Sequence, residues 1–175
     1  MVPHELEKLN LDVISDDAEV RRSALKRMDD LARSKDLDTT AVPSLTILLG
    51  SPETEDRRRA SRIMAKMAQN KFWPFNSLNA LTEDKDPEVR ENAAWALGEL
   101  ACMRGGVQSS IAFLTELLLD REAMVRGMTS WALGQFADRL HMTSPLAMER
   151  LERLVYDRSP YVSKSAAYAL DIMRG

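Results

Sequence analysis

Apolar residues recur along this chain with a helical period, and the same pattern returns five times. In its clearest copy Val89, Ala93, Leu97 and Leu100 stand at offsets 0, 4, 8 and 11. At 100° per residue they fall on one stripe, which predicts an amphipathic helix rather than a strand. The copy opens with Asp84-Lys85-Asp86-Pro87-Glu88-Val89-Arg90 and runs through Ala93-Ala94-Trp95-Ala96-Leu97-Gly98. Asp120 begins the next, in which Val125-Arg126 leads to Trp131-Ala132-Leu133-Gly134. In the last, Asp157-Arg158-Ser159-Pro160-Tyr161-Val162 leads to Ala166-Ala167-Tyr168-Ala169-Leu170. Toward the N-terminus, Val20-Arg21 precedes Ala24, Met28 and Leu31 at matching offsets. The second copy is degenerate: Ser51-Pro52 precedes Asp56-Arg57, Ala60, Met64 and Met67.

A shorter, more apolar helix is expected before each of these: Leu6 to Ile14, Val42 to Leu49, Phe75 to Leu81, Ile111 to Leu119 and Leu146 to Val155. One such pair cannot bury both of its apolar stripes, so pairs must stack side by side. The expected fold is therefore all-α, an α–α superhelix or solenoid of about five helix pairs without strands. A single domain over residues 1–175 is expected, with repeats at about 1–36, 37–71, 72–104, 105–141 and 142–175. Ser51-Pro52, Asp86-Pro87 and Ser159-Pro160 read as starts of second helices, with Pro in the first turn. Repeat two is the expected weak point, because Asp56 replaces the valine and no Asp stands five residues earlier. Its residues 51–70 should then exchange amide protons faster than residues 86–102.

The combination Asp-x-x-x-x-Val-Arg followed by Ala-Ala-x-Ala-Leu-Gly resembles the HEAT-repeat superfamily, most closely its short-repeat branch named after phycobilisome lyase subunits. The likeness covers the whole chain, although the second copy matches poorly. It implies an α-solenoid. It implies less about function, since such families span scaffolds, chaperone-like lyase subunits and a few enzymes.

Charge and composition narrow the classes further. The net charge is −3 and the pI near 5.5, whereas a general binder of nucleic acid or anionic membrane is usually basic. One cysteine, Cys102, cannot form an internal disulfide and fits a reducing compartment. The segment Met1 to Glu7 has neither the basic start nor the apolar core of a secretory signal. Runs such as Leu117-Leu118-Leu119 fall far short of the roughly 20 residues of a membrane helix. A soluble, cytoplasmic protein without a membrane partner is expected.

Reactive chemistry is sparse. His4 and His141 lie in different repeats, so no two-histidine metal site is supported. One HEAT-like enzyme class, deoxyhypusine hydroxylase, holds di-iron through several His-Glu pairs, and only His4-Glu5 matches that dipeptide here. Cys102 has no histidine in its repeat to serve as base. Gly105-Gly106 lacks the Lys and Ser/Thr of a phosphate-binding loop. No catalytic residue, metal ligand or cofactor is assigned, and the chain is expected not to be an enzyme. Arg21, Arg57, Arg90 and Arg126 follow the valine position, and Asp84, Asp120 and Asp157 stand five before it. These are expected to cap helices and to pair between neighbouring repeats. An anion-binding ladder is the functional alternative.

The informative column is offset 6 of the second helix, roughly 150–160° from the buried stripe. Its occupants are Lys26, Arg62, Trp95, Trp131 and Tyr168, with Arg58 on the same face. Second helices line the concave side of such stacks. Trp95, Trp131 and Tyr168 are therefore the expected anchors for a protein or peptide partner, and Lys26, Arg58 and Arg62 would select acidic character. Gly98 and Gly134 would admit a ligand backbone beside the rings. The structural alternative is that each ring covers a glycine gap on an adjacent helix. The run Arg57-Arg58-Arg59 is read as a solvated face, with a phosphate or acidic-peptide contact as its alternative. The leading function is a non-enzymatic interaction module or scaffold. Nucleic-acid binding in the manner of HEAT-like DNA glycosylases, or an accessory subunit of a cofactor lyase, are the alternatives.

Overall fold

The computed structural model describes residues 3–70, 76–101 and 108–175. Cys102, Gly105, Gly106 and the expected helix start at Phe75 lie outside the described residues. The chain divides into two compact units, Met1–Trp73 and Pro74–Gly175. The first contains α1 (Pro3–Asp12), α2 (Ala18–Ser34), a short 3-10 turn (Thr39–Ala41), α3 (Val42–Leu49) and α4 (Thr54–Gln69). The second contains α5 (Asn76–Leu81), α6 (Pro87–Leu100), α7 (Gln108–Leu117), α8 (Ala123–Leu140), α9 (Pro145–Leu154) and α10 (Pro160–Arg174). No strand occurs among the described residues. The helices alternate short and long, as the sequence pattern requires. Within each unit the long helices pack on one another, α2 on α4 and α6 on α8 on α10.

The core is the predicted stripe. Val89, Ala93, Leu97 and Leu100 of α6 are fully buried, as are Val125 and Phe136 of α8 and Val162 and Ala166 of α10. Each second helix starts by one local device. The side chain five residues before the valine position accepts the backbone N–H two residues on: Ser15 from Asp17, Ser51 from Glu53, Asp84 from Asp86, Asp120 from Glu122 and Asp157 from Ser159. Such a turn frees the backbone to enter the helix in the right direction. Those aspartates thus brace the turn. The N-cap falls two residues later, where Asp17 and Asp86 each accept two N–H groups of the first helical turn. Pro87 and Pro160 open their helices as predicted, but α4 starts at Thr54, beyond Pro52.

Arginine then ties repeat to repeat. Arg90 donates two bonds to Asp120, 2.6 and 2.9 Å, and two more to the carbonyls of Asp84 and Lys85 in its own turn. Arg126 repeats this with Asp157 and the carbonyls of Asp120 and Arg121. A guanidinium suits the position because its five donors are held in one planar fork. Burial by itself pushes the Asp120 carboxyl up, but the bonds from Arg90 and the Glu122 N–H outweigh it and hold the group below its usual range. Asp157 is lowered in the same sense, by the Ser159 N–H and Arg126 acting against desolvation.

In repeat two the premise of the expected weak point is corrected: Asp56 has a compensating partner in Arg21. Asp56 is not a defect. Its carboxylate accepts Arg21 Nε at 3.0 Å and the Ser51 hydroxyl at 3.2 Å, and it is buried. Ser51 occupies the place of the missing loop aspartate, so the carboxylate reaches Arg21 from the helix instead of from the turn. The valine and aspartate exchanges compensate each other. Restoring the consensus with Asp56→Val should therefore lower stability by about 1–3 kcal/mol, because Arg21 and Ser51 lose a buried acceptor. Adding Ser51→Asp should recover part of that loss. Thermal melts of both single variants and the double variant measure the coupling directly.

Among the described residues, one buried side-chain polar atom is left without a partner. Thr129, in the middle of α8, is fully buried, and its hydroxyl makes no hydrogen bond. Thr129→Val keeps the shape and removes the desolvated hydroxyl, so a gain of about 1 kcal/mol is expected. Chemical denaturation should show it as a higher midpoint with an unchanged slope.

Candidate functional site

The three aromatic residues singled out above lie on successive second helices of one unit. Trp95 sits on α6, Trp131 on α8 and Tyr168 on α10, in register. Trp95 and Trp131 are half-buried, and Tyr168 is 45% exposed. The neighbouring helix explains why the tryptophans are not more open. A Cβ built on Gly98 would stand 2.4 Å from Trp131 Cζ3, so the indole edge occupies the space that glycine leaves. Tyr168 lies against Gly134 in the same way, at 3.2 Å. Tyr161 lies against Gly127, where an added Cβ would meet its ring at 2.2 Å. Gly98 and Gly134 are therefore filled by rings of the next repeat and do not present backbone to a ligand. That part of the sequence expectation is corrected: aromatic residue and glycine form a knob and a notch between helices.

Two of the three residues have polar partners. Trp95 Nε1 donates to Glu99 one turn ahead at 3.1 Å, and Gln135 donates to the Tyr168 hydroxyl at 3.3 Å. Burial, followed by the nearby Glu91 charge, raises the Tyr161 hydroxyl above its ordinary range. Trp95, Trp131 and Tyr168 thus stand at one offset on α6, α8 and α10, each partly accessible.

The predicted cationic residues belong to the other unit. Lys26 is exposed on α2, Arg58 is half-buried on α4 and Arg62 is exposed there. Lys66, one turn beyond Arg62, pairs with Asp29 of α2 at 2.5 Å. Within the triple-arginine run, Arg57 donates to the carbonyls of Ser51 and Pro52, and Arg59 pairs with Glu55 at 2.6 Å. Arg21, Arg90 and Arg126 of the ladder are engaged by aspartates of the neighbouring repeat, and Arg57 by the carbonyls of its own turn.

His4 faces Glu7 at the surface, and His141 caps the end of α8 in a left-handed conformation, φ 53°. No group of three potential metal ligands occurs among the described residues. No helix among them is long and apolar enough to cross a membrane.

Helix pairs joined by an arginine–aspartate ladder and by aromatic residues set in glycine notches define an all-α repeat protein of the solenoid class. The sequence pattern of HEAT repeats matches residues 76–171, more than half of the chain, so the protein belongs to the HEAT-repeat family. No curated protein matches it in sequence. Among solved structures, an engineered protein is similar with a TM-score of 0.77 and 24% identity over 97% of this chain and 79% of that one. A designed armadillo repeat protein in complex with the peptide (KR)4 is similar with a TM-score of 0.79 and 21% identity, covering 94% of this chain and 80% of the other. The complex of CpcE and CpcF of phycocyanin lyase from Nostoc sp. contains a chain with a TM-score of 0.74 and 20% identity, over 99% of this chain and 65% of that one.

Proposed function

We propose that this chain is a non-enzymatic protein-interaction module, its five repeats at residues 1–36, 37–71, 72–104, 105–141 and 142–175 forming one binding domain. The outer edges of Trp95, Trp131 and Tyr168 are its anchors. One observation carries the reading: three large aromatic side chains stand in register on adjacent helices and keep part of each ring accessible. Aromatic anchors held rigid by packing lose little entropy on binding, which is why they concentrate interface energy. The glycine notches supply that rigidity to Trp131 and Tyr168. Lys26, Arg58 and Arg62 are proposed as a separate polar contact patch on their own unit. The likeness to designed armadillo proteins made for modular peptide recognition supports an extended peptide as ligand.

A displayed library of peptides selected on the purified protein tests this. Binders should lose about tenfold or more in affinity with Tyr168→Ala and Trp95→Ala. Binders should tolerate Tyr156→Ala, whose side chain is 88% exposed between α9 and α10. Peptides insensitive to both anchor variants would sink the proposal. Trp131→Ala is the wrong probe, since emptying the Gly98 notch should also cost stability.

A second reading, a subunit paired with another solenoid, is supported by the likeness to the complex of CpcE and CpcF. Co-expression with candidate partner subunits, followed by measurement of complex mass, tests it.

A further inference from the structure

Successive first helices of the second unit are joined in two different ways. Between α7 and α9 the link is Arg150, whose guanidinium donates to the Thr115 carbonyl at 2.7 Å and pairs with Glu116 at 2.9 Å. Arg150 stands twelve residues before Val162, and the residue twelve before Val125 is Phe113 on α7. The link from α7 back to α5 therefore lacks this arginine. The carbonyl that corresponds to Thr115 is that of Asn79, and it accepts the Thr82 hydroxyl of its own repeat at 2.7 Å. Ser110 joins the two helices instead, donating to the Asn79 side chain at 2.9 Å.

An open cleft of about 390 Å³ is left between α7 and the turn that follows α5. Phe113, Leu117 and Leu119 give it an apolar lining, and every charged residue that lines it is a carboxylate: Glu83, Glu116 and Asp120. Leu119 is 62% exposed, a large apolar side chain held at the surface. Glu116 is balanced by Arg150 and Asp120 by Arg90. Glu83 is exposed and makes no ion pair among the described residues. The cleft thus combines uncovered apolar surface with one uncompensated negative charge.

We propose that this cleft docks a basic, apolar segment of a partner protein. A large apolar side chain of the segment covers Phe113 and Leu119, and an arginine or lysine beside it meets Glu83. The partner then brings to the cleft the kind of cation that Arg150 brings to the α7–α9 link. Such a side chain suits both parts of the site, since its stem covers apolar surface while its charged head pairs with the carboxylate. The cleft lies beside first helices, whereas Trp95, Trp131 and Tyr168 stand on second helices. This site therefore does not depend on the anchors proposed above.

A displayed peptide library selected on the wild-type protein and depleted on the Leu119→Ser variant tests the proposal. The depletion step is neutral in charge, so it does not itself impose basic peptides. Leu119→Gln serves as a second depletion target, and thermal melts confirm that both variants are folded. Retained peptides should carry arginine or lysine next to a leucine, isoleucine or aromatic residue. Glu83→Gln should weaken their binding about threefold and Glu83→Lys about tenfold, and added salt should weaken it further. Tyr168→Ala should leave it unchanged. A library from which nothing survives depletion overturns the proposal. So do retained peptides that are acidic, that ignore both Glu83 variants, or that weaken with Tyr168→Ala. None of these failures touches the anchor reading, which is judged on binders that ignore Leu119→Ser.

Discussion

Asp120→Asn should cost about 2–4 kcal/mol at neutral pH, among the largest losses available to a single polar substitution in this chain. Asp120 is 7% exposed and receives both Arg90 bonds, and Arg90 is itself only 16% exposed. The asparagine keeps one acceptor but loses the charge, so a largely desolvated guanidinium is left uncompensated. The wild-type contribution depends on pH in a defined direction. Asp120 is held below its usual range in the folded state, so the unfolded chain binds the proton more readily. Its contribution is fully present above the unfolded value of about 3.9 and is lost as pH falls through the lower folded value. The gap between wild type and variant should thus be constant near neutrality and close in acid. Urea midpoints measured from neutral pH down to about pH 3 would show it. A gap that persists unchanged in acid would mean that the pair acts through shape alone.

Gly98→Val is the second large effect, expected at about 3 kcal/mol or more. Even a bare Cβ at this position stands 2.4 Å from the Trp131 ring and 3.0 Å from the Ala132 backbone. The ring is wedged between helices, and the backbone of α8 yields only by moving the helix. Overpacking of this kind typically costs about 1–3 kcal/mol, and a branched side chain in a helix notch lies at the upper end. Gly98→Ala should cost less but remain clearly destabilising. The diagnostic partner is Trp131→Ala, which frees the notch. Gly98→Ala combined with Trp131→Ala should lose less than the two single variants together. Calorimetric melts of the three proteins decide the matter. Strict additivity would show that ring and glycine do not share one space.

Trp131 and Tyr168 owe their rigidity to this arrangement, so stability and the proposed binding role would fall on the same residues. Trp131 packs α8 against α6 with one edge, and in the proposed reading only its remaining surface would meet a partner. Tyr168 rests more loosely on Gly134, at 3.2 Å, and is the more open of the two. That difference is why Tyr168 separates binding from stability better than Trp131 does.

The sequence by itself determined the helix pairs, their period and the buried stripe, because a 3.6-residue periodicity and a repeated turn are local properties. It also identified most residues of the arginine–aspartate ladder, since Arg follows the valine position in the first four copies and Asp stands five before it in the last three. Tertiary structure decided what each side chain meets. Helical angle places Gly98 and Trp95 on one face, but only the approach of α8 shows that Trp131 fills the gap above Gly98. Asp56 reads in the sequence as a spoiled valine and becomes an acceptor only when α2 brings Arg21 to it. The links between first helices were hidden for the same reason. Asn10 accepts the Ser44 hydroxyl, Asn79 accepts that of Ser110, and Arg150 reaches the Thr115 carbonyl. None of these lies on a periodic stripe, because a hydrogen bond between helices depends on their spacing, and that spacing is set by the side chains packed between them.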